Sequence, residues 1–168
     1  KFGRLFYFFL EYSNQMASLS QLIEVVDTVW TNVQGLYFNY NYVFQVLRLT
    51  ACRPIEVLTV ELWNIYNETT ISLQRVKDNN VRYFNLEDFP EVFVTGVAVQ
   101  DLPWKPYRLR TIQRVYNRAN KIGKLMAGKS DLSLYIYRYV LIRELSEDGV
   151  PNSTIRDEFG WTNTNMVT

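Results

Sequence analysis

Leu49-Thr50-Ala51-Cys52-Arg53-Pro54-Ile55-Glu56-Val57-Leu58 is where the fold becomes readable, because one hydrophobic period runs into this stretch and another leaves it. Proline has a fixed φ and no N–H, which suits a first helical turn, so a helix is predicted from Pro54 through Leu62. Upstream, Val43, Phe44, Val46 and Leu47 give helical spacing from about Tyr40 to Thr50. Before that, Leu22, Ile23, Val25, Val26 and Val29 do the same from about Leu19 to Trp30, with Ser18 or Ser20 as the cap. Downstream the period shortens. Trp63-Asn64-Ile65-Tyr66, Ile71 to Val76 and Val81 to Leu86 read as three strands, separated by the turn-like Asn67-Glu68-Thr69-Thr70 and Lys77-Asp78-Asn79-Asn80. Past Pro90, Gly96, Pro103 and Pro106, Tyr107 to Lys121 forms a basic amphipathic helix with Leu109, Ile112, Tyr116 and Ala119 on one face. Leu134 to Leu145 is a further helix ended by Gly149-Val150-Pro151, and a short one from about Ser153 to Phe159 stops at Gly160. The expected class is α+β and mostly helical: a small three-stranded antiparallel sheet packed against helices, in one domain.

Composition narrows the function classes. The chain has 168 residues, is 48% hydrophobic and 15% aromatic, and so can build a core. It contains no histidine and one cysteine, Cys52. That removes Ser–His and Cys–His nucleophile pairs, ordinary zinc sites and internal disulfides. No glycine-rich phosphate loop is present, and neither a metal nor a cofactor is expected. The longest apolar run, Leu5 to Leu10, is far shorter than a membrane span and lacks a signal-cleavage pattern, so the two Asn-x-Thr matches at Asn67 and Asn152 read as chance.

The net charge of +1 hides a strong polarity. Residues 1–102 carry seven basic and eleven acidic side chains, whereas residues 103–143 carry ten basic ones against Asp131 alone. Such clustering is the footprint of a polyanionic partner, although a solvated helix face gives the same pattern. Arg53, at a helix start, is followed 85 residues later by Arg138 in Tyr135-Ile136-Tyr137-Arg138. Two guanidinium forks brought together by a fold clamp one phosphate from two sides, and both are expected to face an open basic cavity.

The order of these features resembles the catalytic domain of the tyrosine recombinases, the phage-integrase family, over nearly the whole chain. Leu49 to Leu58 is similar to that family's Thr-Gly-x-Arg-x-x-Glu segment, and Lys77 to Leu86 to its Lys-Thr-x-x-x-Arg-x-Val-Pro-Leu hairpin. Tyr135 to Arg138 falls at its four-residue box ending in arginine, followed by the Gly-Val-Pro turn and by Gly160-Trp161. The resemblance implies that Arg53 and Arg138 hold a scissile phosphate and stabilise its pentavalent transition state. It implies that Lys77 protonates the leaving 5′ oxygen, that the Trp161 indole donates to the phosphate, and that Glu56 buttresses the site from behind. Arg82, Arg110, Arg114 and Arg118 would contact DNA. Partners would be double-stranded DNA and sister protomers, a tetramer in the full-length protein, acting in the integration or excision of a mobile element or phage. Localisation would be the nucleoid of a prokaryotic cytoplasm or a eukaryotic nucleus.

Two departures from the pattern shape the expectations. The family box usually opens with histidine, and here Tyr135 stands there, a phenol that donates a hydrogen bond but is a poor base at neutral pH. The nucleophilic tyrosine is expected about nine residues past Trp161, beyond Thr168, and a core-binding domain is expected ahead of residue 1, so the chain alone should be inactive. Each residue also has a plain structural reading: Arg53 paired with Glu56, Arg138 with Asp131 or Glu144, Lys77 solvated, Tyr135 and Trp161 in the core. Two alternatives stay open, a catalytically degenerate DNA-binding relative and an unrelated helical protein-interaction domain.

Overall fold

Ser18 opens the first helix by a reciprocal cap: its hydroxyl accepts from the Gln21 N–H at 3.2 Å, and the Gln21 side chain accepts from the Ser18 N–H at 2.7 Å. The computed structural model describes residues 18–36, 38–76, 80–88, 107–120 and 134–159. Helix α1, Leu19–Leu36, buries Leu22, Val25, Val26, Val29 and Val33 along one stripe. Helix α2, Asn41–Thr50, buries Val43, Phe44, Val46 and Leu47, and ends with Ala51 in the left-handed region at φ 50°, its N–H bonded to the Leu47 carbonyl at 2.9 Å.

Helix α3 starts at Pro54 as expected but runs only to Leu58. Thr59 is extended, and a single 3-10 turn, Val60–Leu62, leads into the sheet. The β-branched Val57, Thr59 and Val60 lower the helix propensity there, and the Trp63 indole donates to the Glu56 carbonyl at 3.0 Å, fixing the turn. Strands β1 (Trp63–Asn67), β2 (Thr70–Gln74) and β3 (Val81–Asn85) form the expected antiparallel meander in the order β1-β2-β3. Trp63 pairs with Leu73 and Leu73 with Arg82, so one row of the sheet's inner face carries an arginine.

Helix α4, Leu109–Ala119, turns Ile112, Val115, Tyr116 and Ala119 inward. Helix α5, Ile136–Glu147, is buried nearly all round through Ile142 and packs on α1 and α2. A bidentate pair ties α2 to α5, Arg48 to Glu144 at 2.8 and 3.2 Å. Gly149, at φ 86°, ends α5 with the Val150 N–H on the Leu145 carbonyl, a geometry that favours glycine. Helix α6, Asn152–Phe159, buries Ile155 and Phe159. The architecture is therefore mostly helical with a small three-stranded antiparallel sheet. Among the described residues no helix is long and apolar enough to cross a membrane.

Candidate functional site

The last turn of a helix leaves carbonyls without intrahelical donors and a partial negative charge, which attracts guanidinium groups. Two such ends meet in this fold, and arginines fill the space between them. At the end of α2, the Thr50 carbonyl accepts from Arg82 Nη1 at 2.9 Å and the Ala51 carbonyl from Arg138 Nη1 at 2.8 Å. At the end of α6, the Phe159 carbonyl accepts from Arg138 Nη2 at 3.1 Å, and those of Asp157 and Glu158 accept from Arg75 Nη2. Arg138 thus bridges the two helix ends, with the Phe159 ring 5.3 Å from its guanidinium.

Arg53 enters from the start of α3. Its own N–H donates to Glu56 Oε1 at 2.9 Å, and its Nη1 lies 3.7 Å from Glu56 Oε2. That second oxygen also accepts from the Val76 N–H at 3.0 Å, so one carboxylate, 2% exposed, ties the arginine loop to the segment leading toward Lys77. The Arg53–Glu56 pairing is the plain structural reading of that arginine, and it coexists with the convergence of Arg53 on Arg138. Glu144 pairs with Arg48 rather than Arg138.

The electrostatics show how closely these groups are gathered. Arg138 is pushed down from the ordinary guanidinium range to about 9, by burial first and then by the positive charge of Arg53, with Glu56 pulling up and Arg82 pushing down again. It remains cationic at neutral pH. Burial raises the Cys52 thiol against the opposing influence of Arg82 and Arg138, which leaves it an inert neighbour rather than a nucleophile.

Two expectations need correction. Arg53 and Arg138 do not face an open cavity, being 7% and 2% exposed, because Glu56 and the helix-end carbonyls supply acceptors that make their burial affordable. Arg82 is not on an outer DNA-facing surface. It is 6% exposed, donates from Nε to Glu158 Oε1 at 3.0 Å and from Nη1 to the Cys52 sulfur at 3.3 Å, and lies between the rings of Phe84 and Phe159 at 4.7 and 4.8 Å. Strand alternation explains this, since Arg82 and Phe84 share the inward face.

Tyr135 immediately precedes α5, three residues before Arg138, and is 8% exposed among apolar neighbours. Arg110, Arg114 and Arg118 are exposed on α4, four residues apart, so they form one row along the helix opposite its buried stripe. Lys77 and Trp161 lie outside the described residues. Sequence reasoning missed Arg75 and the Phe159 ring. The strand alternation Ile71, Leu73, Arg75 was the signal that pointed Arg75 inward.

Comparison of the chain with protein-family models, with curated proteins and with solved structures gives no match, so its functional reading rests on its own residues.

Proposed function

We propose that this chain is the catalytic domain of a tyrosine-type site-specific DNA recombinase. The observation that carries the reading is the convergence of Arg53 and Arg138, 85 residues apart, in one buried cationic cluster braced by Glu56. A second feature supports it: the left-handed φ of 50° falls on Ala51, the position that the family's Thr-Gly-x-Arg motif fills with glycine.

In this reading Arg53 and Arg138 hold the scissile phosphate and Lys77 protonates the departing 5′ oxygen. A tyrosine oxygen gives its proton to water or to a phosphate oxygen and forms the new bond to phosphorus as the 5′ oxygen leaves with the Lys77 proton, giving a 3′-phosphotyrosyl link; attack by a 5′ hydroxyl reverses it. Trp161 and Tyr135 donate hydrogen bonds to the phosphate oxygens. The row Arg110, Arg114 and Arg118 contacts the DNA backbone, with neighbouring strand phosphates neutralised in turn. No step calls for a metal.

One observation favours the degenerate DNA-binding alternative: Arg138 already donates to the Ala51 and Phe159 carbonyls, so it must release or share donors to grip a phosphate. The test is incubation, in EDTA, of the protein that carries this chain with duplexes nicked close to candidate cleavage positions. A covalent 3′ adduct, absent in Arg53→Ala and Arg138→Ala, is expected. A strict magnesium requirement overturns the recombinase reading. Salt-dependent DNA binding without adduct assigns the degenerate module, and absence of salt-dependent binding rejects both.

A further inference from the structure

Arg75 follows strand β2, and the alternation of that strand turns it inward, to 6% exposure. Its guanidinium reaches the end of α6, where Nη2 donates to the Asp157 carbonyl at 2.6 Å and to the Glu158 carbonyl. The next carbonyl of that helix, Phe159, accepts from Arg138 at 3.1 Å. One helix end thus accepts from two arginines, Arg138 of the phosphate clamp and Arg75 of the hairpin. An apolar side chain would fill this place without the cost of desolvating a guanidinium, so what the position gains from arginine is its directional fork.

The backbone around Arg75 is tied as well. Its N–H donates to the Asn80 carbonyl at 3.1 Å, and the same carbonyl accepts from the Gln74 side chain at 3.4 Å. The Val76 N–H donates to Glu56 Oε2 at 3.0 Å, and that carboxylate faces the Arg53 guanidinium at 3.7 Å. Lys77 is bonded to Val76 and stands three residues before Asn80. Consecutive Cα atoms stay about 3.8 Å apart, so a chain fixed at Val76 and at Asn80 limits where Lys77 can carry its ammonium. Glu56 registers this hairpin against Arg53, and the Arg75 side chain registers it against the helix end that Arg138 grips.

We infer that Arg75 is a positioning residue for the proton-donating step, holding the hairpin so that the Lys77 ammonium meets the 5′ oxygen of a phosphate gripped by Arg53 and Arg138. The inference rests on the recombinase reading. In that step the bond from phosphorus to the 5′ oxygen breaks as the tyrosine oxygen bonds to phosphorus, and the Lys77 proton passes to the departing oxygen. Arg75 touches none of the reacting atoms and acts only through the chain it fixes.

The test replaces the bridging 5′ oxygen of the nicked duplex by sulfur. The phosphorus–sulfur bond then breaks to give a thiolate, which leaves without a proton, since thiols ionise at about 8.5. Covalent adduct formation is timed in EDTA with both substrates, for the protein that carries this chain and for its Arg75→Met, Arg75→Lys and Lys77→Met variants. Arg75→Met should slow cleavage of the oxygen substrate about a hundredfold and of the sulfur substrate less than about threefold, and Lys77→Met should show the same selective loss. Arg75→Lys keeps the charge but not the fork, and should lose about tenfold on the oxygen substrate alone. The ratio of the two rates within one variant cancels the amount of folded protein; Arg75→Met decides where it folds, and Arg75→Lys where it does not. In the deciding variant, equal slowing of both substrates, or none, overturns the inference while the recombinase reading stands, as does equal slowing in Lys77→Met. A parent protein that forms no adduct with either substrate overturns that reading and the inference with it.

Discussion

Replacing Glu56 by glutamine is the sharpest probe of the arginine cluster, because a single carboxylate there accepts from two backbone N–H groups and faces the charge of a guanidinium. Its oxygens accept from the Arg53 N–H at 2.9 Å and the Val76 N–H at 3.0 Å, and Oε2 lies 3.7 Å from the Arg53 guanidinium. A glutamine keeps one oxygen and turns an NH₂ toward the other donor, losing a hydrogen bond to a charged group that contributes about 1.5–3 kcal/mol. It also removes the negative charge beside Arg53; at an effective dielectric near 20, unit charges about 3.7 Å apart interact by roughly 4 kcal/mol, part of which is offset by the carboxylate's own desolvation. Together these give a loss of about 3–5 kcal/mol, the range for breaking a buried ion pair. Arg138 suffers too, since Glu56 is among the groups that raise it. In urea denaturation the midpoint should fall with the m-value unchanged, and melting should drop by roughly 6–20 °C. A loss below about 1 kcal/mol would refute the account of Glu56 as the brace of the cluster.

Arg82→Met should cost about 2–4 kcal/mol in the same assay, because it strips donors from the buried Thr50 carbonyl, whereas Arg114→Ala on the exposed row should stay within about 0.5 kcal/mol. Under the DNA reading, Arg114→Ala and Arg118→Ala should each lower the salt slope of duplex binding by about one; an unchanged slope assigns that face to solvent. Tyr116→Phe should stabilise by about 0.5–2 kcal/mol, since the buried Tyr116 hydroxyl has no partner among the described residues; destabilisation by that much would show that the hydroxyl is satisfied. Burial raises Tyr116 and Tyr137 above their ordinary 10, so the unfolded chain ionises first. Their contribution to stability is full below pH 10 and lost as pH rises above it, a loss that should shrink in Tyr116→Phe when unfolding is followed by tyrosinate absorbance.

What the sequence determined by itself was local. Pro54 and the Ser18 to Gln21 cap are steric and hydrogen-bonding signals a few residues long, and the 3.6- and 2-residue periods are set by which side chains need burial, so among the described residues the helices and strands were legible as elements, although α1 runs six residues beyond the expected Trp30 to Leu36 and α3 stops four short of Leu62. The α3 helix ended early because the β-branched Val57, Thr59 and Val60 propagate a helix weakly and tertiary ties, the Trp63 indole on the Glu56 carbonyl and the Val76 N–H on its carboxylate, fix the chain there instead. Arg53 and Arg138 were expected to come together, and Arg53 does act on the charge of Arg138, but their burial was not foreseen. Nothing in a linear pattern shows that the carbonyl ends of α2 and α6 will point at the same guanidinium, because those acceptors are backbone atoms that every residue carries. The inward turn of Arg82 onto Glu158 was decided in the same way, by which strand face and which helix came together, since contacts between residues far apart in sequence exist only once the chain has packed.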